Sequence, residues 1–136
     1  MRRPLEVERI EAIVSGRRFL EPRRRGKYLL LDLEPPGSLL AHLGMSGRIQ
    51  LVDAASPLRD HTHLWLGLDN GRQLRFVDPR RFGFVDWLEP DEEAVDPSLA
   101  ALGVEPLDPG LDDTLPQLFR ARRAPVKSLL LDCLLY

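Results

Sequence analysis

One cysteine, two methionines and two lysines are all that a chain of 136 residues carries of those types. The single thiol, Cys133, excludes an intramolecular disulfide and any multi-cysteine zinc site, and it makes a cytosolic compartment the default. The longest apolar runs reach only a few residues, against the roughly 20 that span a bilayer, so no membrane helix is expected. The start, Met1-Arg2-Arg3-Pro4-Leu5-Glu6, lacks the apolar stretch of a secretory signal. No segment matches a P-loop, a dinucleotide fingerprint or a metalloprotease helix. Ser46 stands in Gly-Met-Ser-Gly, which is not the elbow of a serine nucleophile.

Charge is absent only on average. The net value is −2, yet residues 1–27 hold nine bases against four acids, and residues 86–113 hold ten acids and no base. Of 19 basic residues 17 are Arg, the side chain suited to bidentate phosphate contacts. Such segregation points to a polyanion partner on one face; a compositional preference for Arg beside a solvated acidic loop is the alternative.

Apolar spacing predicts a helix over residues 5–14, ended by Ser15-Gly16. Strands follow over 17–24 (interrupted at Pro22), 27–34, 38–43 and 48–52, with Pro35-Pro36-Gly37 as a turn. Alternating runs at 64–68 and 74–76 flank Asp69-Asn70-Gly71, a strong hairpin signal. One more strand covers 84–88. Short helices are expected near 97–102, over 114–123 with Asp113 or Thr114 as N-cap, and over 124–135 with Pro125 near its first position. The fold class is therefore α+β, an antiparallel β-sandwich or barrel with flanking helices.

Four places draw attention as chemistry. Arg23-Arg24-Arg25-Gly26-Lys27 reads as a phosphate clamp or as a charged edge that deters strand pairing. Lys27 differs from its arginine neighbours because an amine can give up its proton. His61 and His63, two apart, belong on one strand face. Without a third ligand nearby they read as surface or phosphate-facing imidazoles rather than a metal site. Asp78-Pro79-Arg80-Arg81-Phe82-Gly83 is either a hairpin tip with Phe82 in the core or a loop that presents Arg to base edges and a ring as a wedge. Met45, framed by Gly44 and Gly47, is either a core residue or part of a second such loop.

RRRGKYLLLDL, LLAHLGMSGRI, DHTHL, LRFVDPRRFG, LGVEPL and RRAPVKSLLLD occur in this order along nearly the whole chain. Together they resemble the formamidopyrimidine-DNA glycosylase family of bacterial base-excision repair enzymes. The resemblance implies a two-layer β-sandwich domain over residues 1–123, including an acidic connector, and the start of a helix–two-turn–helix region over 124–136. It implies excision of oxidised purines such as 8-oxoguanine and formamidopyrimidines from duplex DNA, followed by β,δ-elimination at the abasic site. Lys27 matches the strand-borne lysine that contacts phosphate and donates a proton in β-elimination. Met45, Arg80 and Phe82 match residues that fill the gap left by the flipped nucleotide. His61, Arg80 and Arg123 match DNA contacts, with Arg81, His42, His63 and Lys127 as secondary ones. Damaged double-stranded DNA is the implied partner of a monomer in the bacterial cytoplasm, at the nucleoid.

The match has departures. The family's nucleophile is an N-terminal proline followed by glutamate, whereas Pro4 has no free amine and the spacing from Arg2 to Lys27 fits the family's interior. The first strand and catalytic helix are therefore expected to be missing. The helix–two-turn–helix and zinc-finger cysteines, which hold the family's structural zinc, are expected to be missing too. No cofactor is expected in this chain, and it is expected to be inactive alone. The alternatives are a non-catalytic module that binds damaged DNA and a non-functional gene fragment.

Overall fold

The computed structural model describes residues 4–34, 36–120 and 122–134, with side chains described through 131. Pro35 of the expected turn and the last residue of the expected final helix lie outside that set. The elements run α1 (Val7–Val14), β1 (Arg18–Phe19), β2 (Arg23–Arg25), β3 (Tyr28–Glu34), β4 (Ser38–His42), β5 (Arg48–Asp53), β6 (Thr62–Gly67), β7 (Arg72–Val77), β8 (Phe84–Leu88), α2 (Pro97–Ala100), α3 (Leu111–Phe119) and α4 (Val126–Leu134). All described strand pairs are antiparallel. One sheet has the order β1-β3-β4-β8, with β2 also on β3; the other has the order β5-β7-β6. The α+β sandwich read from the pattern is the fold.

Successive side chains of a strand point to opposite faces. In the larger sheet both faces are covered, which explains why KYLLLDL and SLLAH read as nearly continuous apolar runs. Leu33, Leu39, Ala41, Val85 and Trp87 face the second sheet, where they meet Leu64 and Phe76; Ile10 of α1 closes that core. Tyr28, Leu30, Leu40 and Leu88 face the other way and pack on Leu99 of α2. Asp96 starts α2 by accepting hydrogen bonds from the Ser98 and Leu99 amides, an N-cap followed by Pro97 at the first helical position.

The smaller sheet carries a surprise on its outer side. Arg75 is only 4% exposed, its guanidinium donating to the Ser56 and Pro57 carbonyls and to Gln73. The loop after β5 is thereby folded over the sheet. Helix α3 departs from expectation: it starts at Leu111 rather than 114 and ends at Phe119. Asp112 and Asp113 occupy its first turn, where carboxylates suit the positive helix end, and the Thr114 hydroxyl bonds back to the Gly110 carbonyl instead of capping.

The acidic connector folds back on the basic run. Arg23 bonds Asp32 at 2.5 and 2.9 Å and Glu93 at 2.8 and 3.1 Å, while Ser38 donates to Asp32 at 2.6 Å. The Arg23 guanidinium, and secondarily the Ser38 hydroxyl, hold the Asp32 carboxyl below the usual carboxylate range against the upward push of burial. A carboxyl depressed in the folded state stabilises it fully above the unfolded pKa, and that contribution is lost as pH falls through the folded pKa. Acid titration of the thermal midpoint from about pH 5 to about pH 2 is therefore expected to fall more steeply for the parent chain than for Asp32→Asn. Leu40 is fully buried. Leu40→Ala should lower stability by roughly 2–5 kcal/mol, read by urea unfolding.

Candidate functional site

Register decides what meets at one end of the larger sheet. Tyr28 at the start of β3 pairs with His42 at the end of β4, and His42 pairs with Phe84 at the start of β8. Lys27 immediately precedes β3 and is exposed. The loops of residues 43–47 and 78–83 leave from the same end. The His42 ring lies between two aromatics, 5.1 Å from Tyr28 and 5.8 Å from Phe84 between centroids. Burial, and then the charge of Lys27, push the His42 pKa down. Its Nδ1 accepts the Gly44 amide at 3.2 Å, so the neutral ring carries its proton on Nε2.

The two loops touch backbone to backbone. Gly44 has φ +60, and a Cβ there would come within 2.8 Å of the Phe82 and Gly83 backbone; one on Gly83 would meet the His42 carbonyl at 2.5 Å. Glycine is required at both for this approach. At the tips stand large side chains that water reaches. Met45 is 76% exposed and Phe82 37%, and the Arg80 guanidinium lies 4.7 Å from the Phe82 ring centroid. The core alternatives for Met45 and Phe82 are thereby set aside. Exposed apolar side chains on a fixed loop are what a stack-inserting wedge requires.

Beneath the tips sits Asp78, fully buried. Its carboxylate accepts the Ser46 hydroxyl at 2.7 Å, the Gly83 amide at 2.7 Å and the Arg80 amide at 3.3 Å. Burial pushes this carboxyl up, but the bonds from Gly83, Ser46, Arg80 and Phe82 outweigh it and hold the pKa below the usual range. Neither Ser46 nor Asp78 stood out as functional in the sequence. The Asp-Pro pair that opens the loop was the available signal, since Asp commonly organises a following turn through its side chain.

The two histidines do not share a strand face. His61 lies before β6 in a left-handed conformation, φ 64, and a register shift between Thr62 and Leu64 breaks the alternation. His61 is exposed, whereas His63 is half-buried with Nε2 2.9 Å from the Asp78 carbonyl. Arg81 is exposed and also left-handed, φ 53. Arg123 is exposed in the link between α3 and α4, and Lys127 on α4 is exposed too.

The Arg23–Arg25 strand is not an open phosphate clamp. Arg23 is held by Asp32 and Glu93, and Arg24 and Arg25 each approach Glu105 at 3.4 Å. Glu105 also accepts the Gly26 amide, fixing the turn from which Lys27 emerges. Among the described residues, Lys27, Arg48, Arg80 and Arg81 present exposed cations at this end, with the His61 ring exposed beside them and the His42 ring half-buried. Among the described residues no three His, Cys, Asp or Glu side chains gather as metal ligands. None of the described helices is long and apolar enough to cross a membrane.

Residues 1–85 match the family described as "Formamidopyrimidine-DNA glycosylase N-terminal domain". A formamidopyrimidine-DNA glycosylase of Stenotrophomonas maltophilia (strain K279a) is 48% identical over 133 residues, covering 97% of this chain and 48% of the relative. One from Xanthomonas campestris pv. campestris (strain B100) is 46% identical, covering 93% and 46%. Among solved structures, the Lactococcus lactis Fpg in complex with DNA containing an abasic site superposes with a TM-score of 0.82 at 28% identity, over 94% of this chain and 47% of that one. The MutM (Fpg) protein of Thermus thermophilus gives 0.72 at 41% identity, over 89% and 44%. The chain thus spans about half the length of the curated relatives it matches. Sequence and fold agree, and this chain belongs to the formamidopyrimidine-DNA glycosylase family.

Proposed function

We propose that this chain carries the lesion-probing surface of a base-excision repair glycosylase and lyase that acts on oxidised purines in duplex DNA. The observation that supports it is the convergence of Lys27, Met45, Arg80 and Phe82 on one end of the sandwich, in loops braced against each other. Arg80 and Phe82 enter the stack where a damaged nucleotide leaves it, Arg80 facing the orphaned base and Phe82 and Met45 filling the gap. Such filling offsets the few kcal/mol that unstacking costs. Lys27 contacts the phosphate beside the extruded nucleotide and is the proton donor when the abasic strand is cut by β-elimination. His61, Arg81 and Arg123 add contacts along the backbone. The same reading takes residues 1–123 as part of the sandwich domain with its connector and 124–136 as the opening of the helical region that follows.

Fluorescence anisotropy with a duplex bearing a tetrahydrofuran abasic analogue tests this. Binding should be salt-sensitive, with a slope of about −0.9 in log–log form per phosphate contact, and Lys27→Gln should reduce the slope by about one contact. Arg80→Ala should cut the preference for abasic over intact duplex by about 1–3 kcal/mol. Absence of salt-sensitive binding, or equal affinity for both duplexes, would sink the proposal.

A further inference from the structure

We propose that Ser46 and Asp78 form a latch that makes the two wedge loops move as one body, which assigns both as positioning residues for Met45, Arg80 and Phe82. This rests on the reading of the surface as one that probes DNA. Within residues 78–83, Asp78 acts locally: its carboxylate takes the Arg80 and Gly83 amides, and its carbonyl takes the Arg81 amide at 3.2 Å. Those bonds alone would shape the loop. The Ser46 bond is of another kind, because it joins positions 32 residues apart on separate loops.

Ser46 is not needed to close its own loop, which the Gly47 amide closes on the Leu43 carbonyl at 2.8 Å. Its hydroxyl serves the junction. Asp78 is anchored in turn from a third direction: its amide donates to the His61 carbonyl at 3.0 Å, and the His63 ring holds its carbonyl. The junction therefore ties the Met45 tip and the Arg80–Phe82 tip to one buried carboxylate, and the start of β6 to the backbone of the same residue. Met45 directly precedes Ser46, and Arg80 and Phe82 lie two and four positions beyond Asp78. Their spacing is set before any duplex arrives. A wedge assembled in advance loses less conformational freedom on insertion than two loops that must be gathered.

Ser46 is the better position to alter, because removing the fully buried Asp78 risks the fold itself. Two readouts are needed for the unaltered chain, Ser46→Ala and Ser46→Thr. In the free chain, amide exchange at Arg80 and Gly83 should speed about tenfold in Ser46→Ala, the loss of a hydrogen bond to a charged group, while β3 and β4 amides stay unchanged. Ser46→Thr keeps the hydroxyl and should restore slow exchange. On a duplex with 2-aminopurine beside a tetrahydrofuran site, the unaltered chain and Ser46→Thr should give a fluorescence rise on binding. Ser46→Ala should lose most of that rise at saturation while keeping the same salt dependence, since no phosphate contact is removed. Unchanged exchange at Arg80 and Gly83 in Ser46→Ala, or an undiminished rise, overturns the latch. Coupled exchange with no rise from the unaltered chain overturns the DNA reading and the wedge role, and leaves the mechanical coupling standing on the exchange data.

Discussion

Strand β4 is the constraint on which the rest depends. It pairs with β3 on one side and β8 on the other, and its alternate residues feed two cores. Because antiparallel register is strongly specified where faces are buried, β4 cannot slip by one residue without exchanging Leu39 and Leu40 between cores. That rigidity fixes Tyr28, His42 and Phe84 in a row. Everything at the candidate site follows from the row: Lys27 is the residue before Tyr28, the 43–47 loop leaves after His42, and the 78–83 loop arrives before Phe84.

Charge is organised by the same frame but at longer range. The basic run on β2 pairs with Glu93 and Glu105, which come from the connector after β8. Exposed ion pairs of this kind add little stability each. Their effect is geometric, since they tie three guanidiniums to carboxylates at the surface and leave Lys27 projecting from a turn fixed by Glu105.

Much of this was legible in the sequence, because strands and hairpins are written in local periodicity. The Asn70-Gly71 turn, the α1 stop at Ser15-Gly16 and the strand at 84–88 are local features, and the structure has them. What failed to show was non-local or conformational. Apart from Asp32, nine residues from Arg23, the partners of Arg23–Arg25 lie some 70 to 81 residues away, so a run of three arginines looks the same whether open or paired. His61 and His63 were expected on one strand face because period-two counting assumes extended backbone, and His61 is left-handed. The α3 start was missed because a threonine inside a helix can bond its own preceding turn as readily as cap one. Lys27, Met45, His61, Arg80, Phe82 and Arg123 are all exposed, which the proposed contact with DNA requires. The hydrogen bond between half-buried Ser46 and fully buried Asp78 was visible only once two distant loops met.

Arg81 shows what such a site asks of the chain. An L-residue other than glycine held at φ 53 sits in a conformation that costs about 1–2 kcal/mol. Glycine at that position would relax the backbone without disturbing a core. The loop is thus the point where engineering for hardiness and retention of surface charge pull in opposite directions. Glycine there would trade that strain for a freer unfolded chain, and it would remove one guanidinium from the end of the sheet where Lys27 and Arg80 stand.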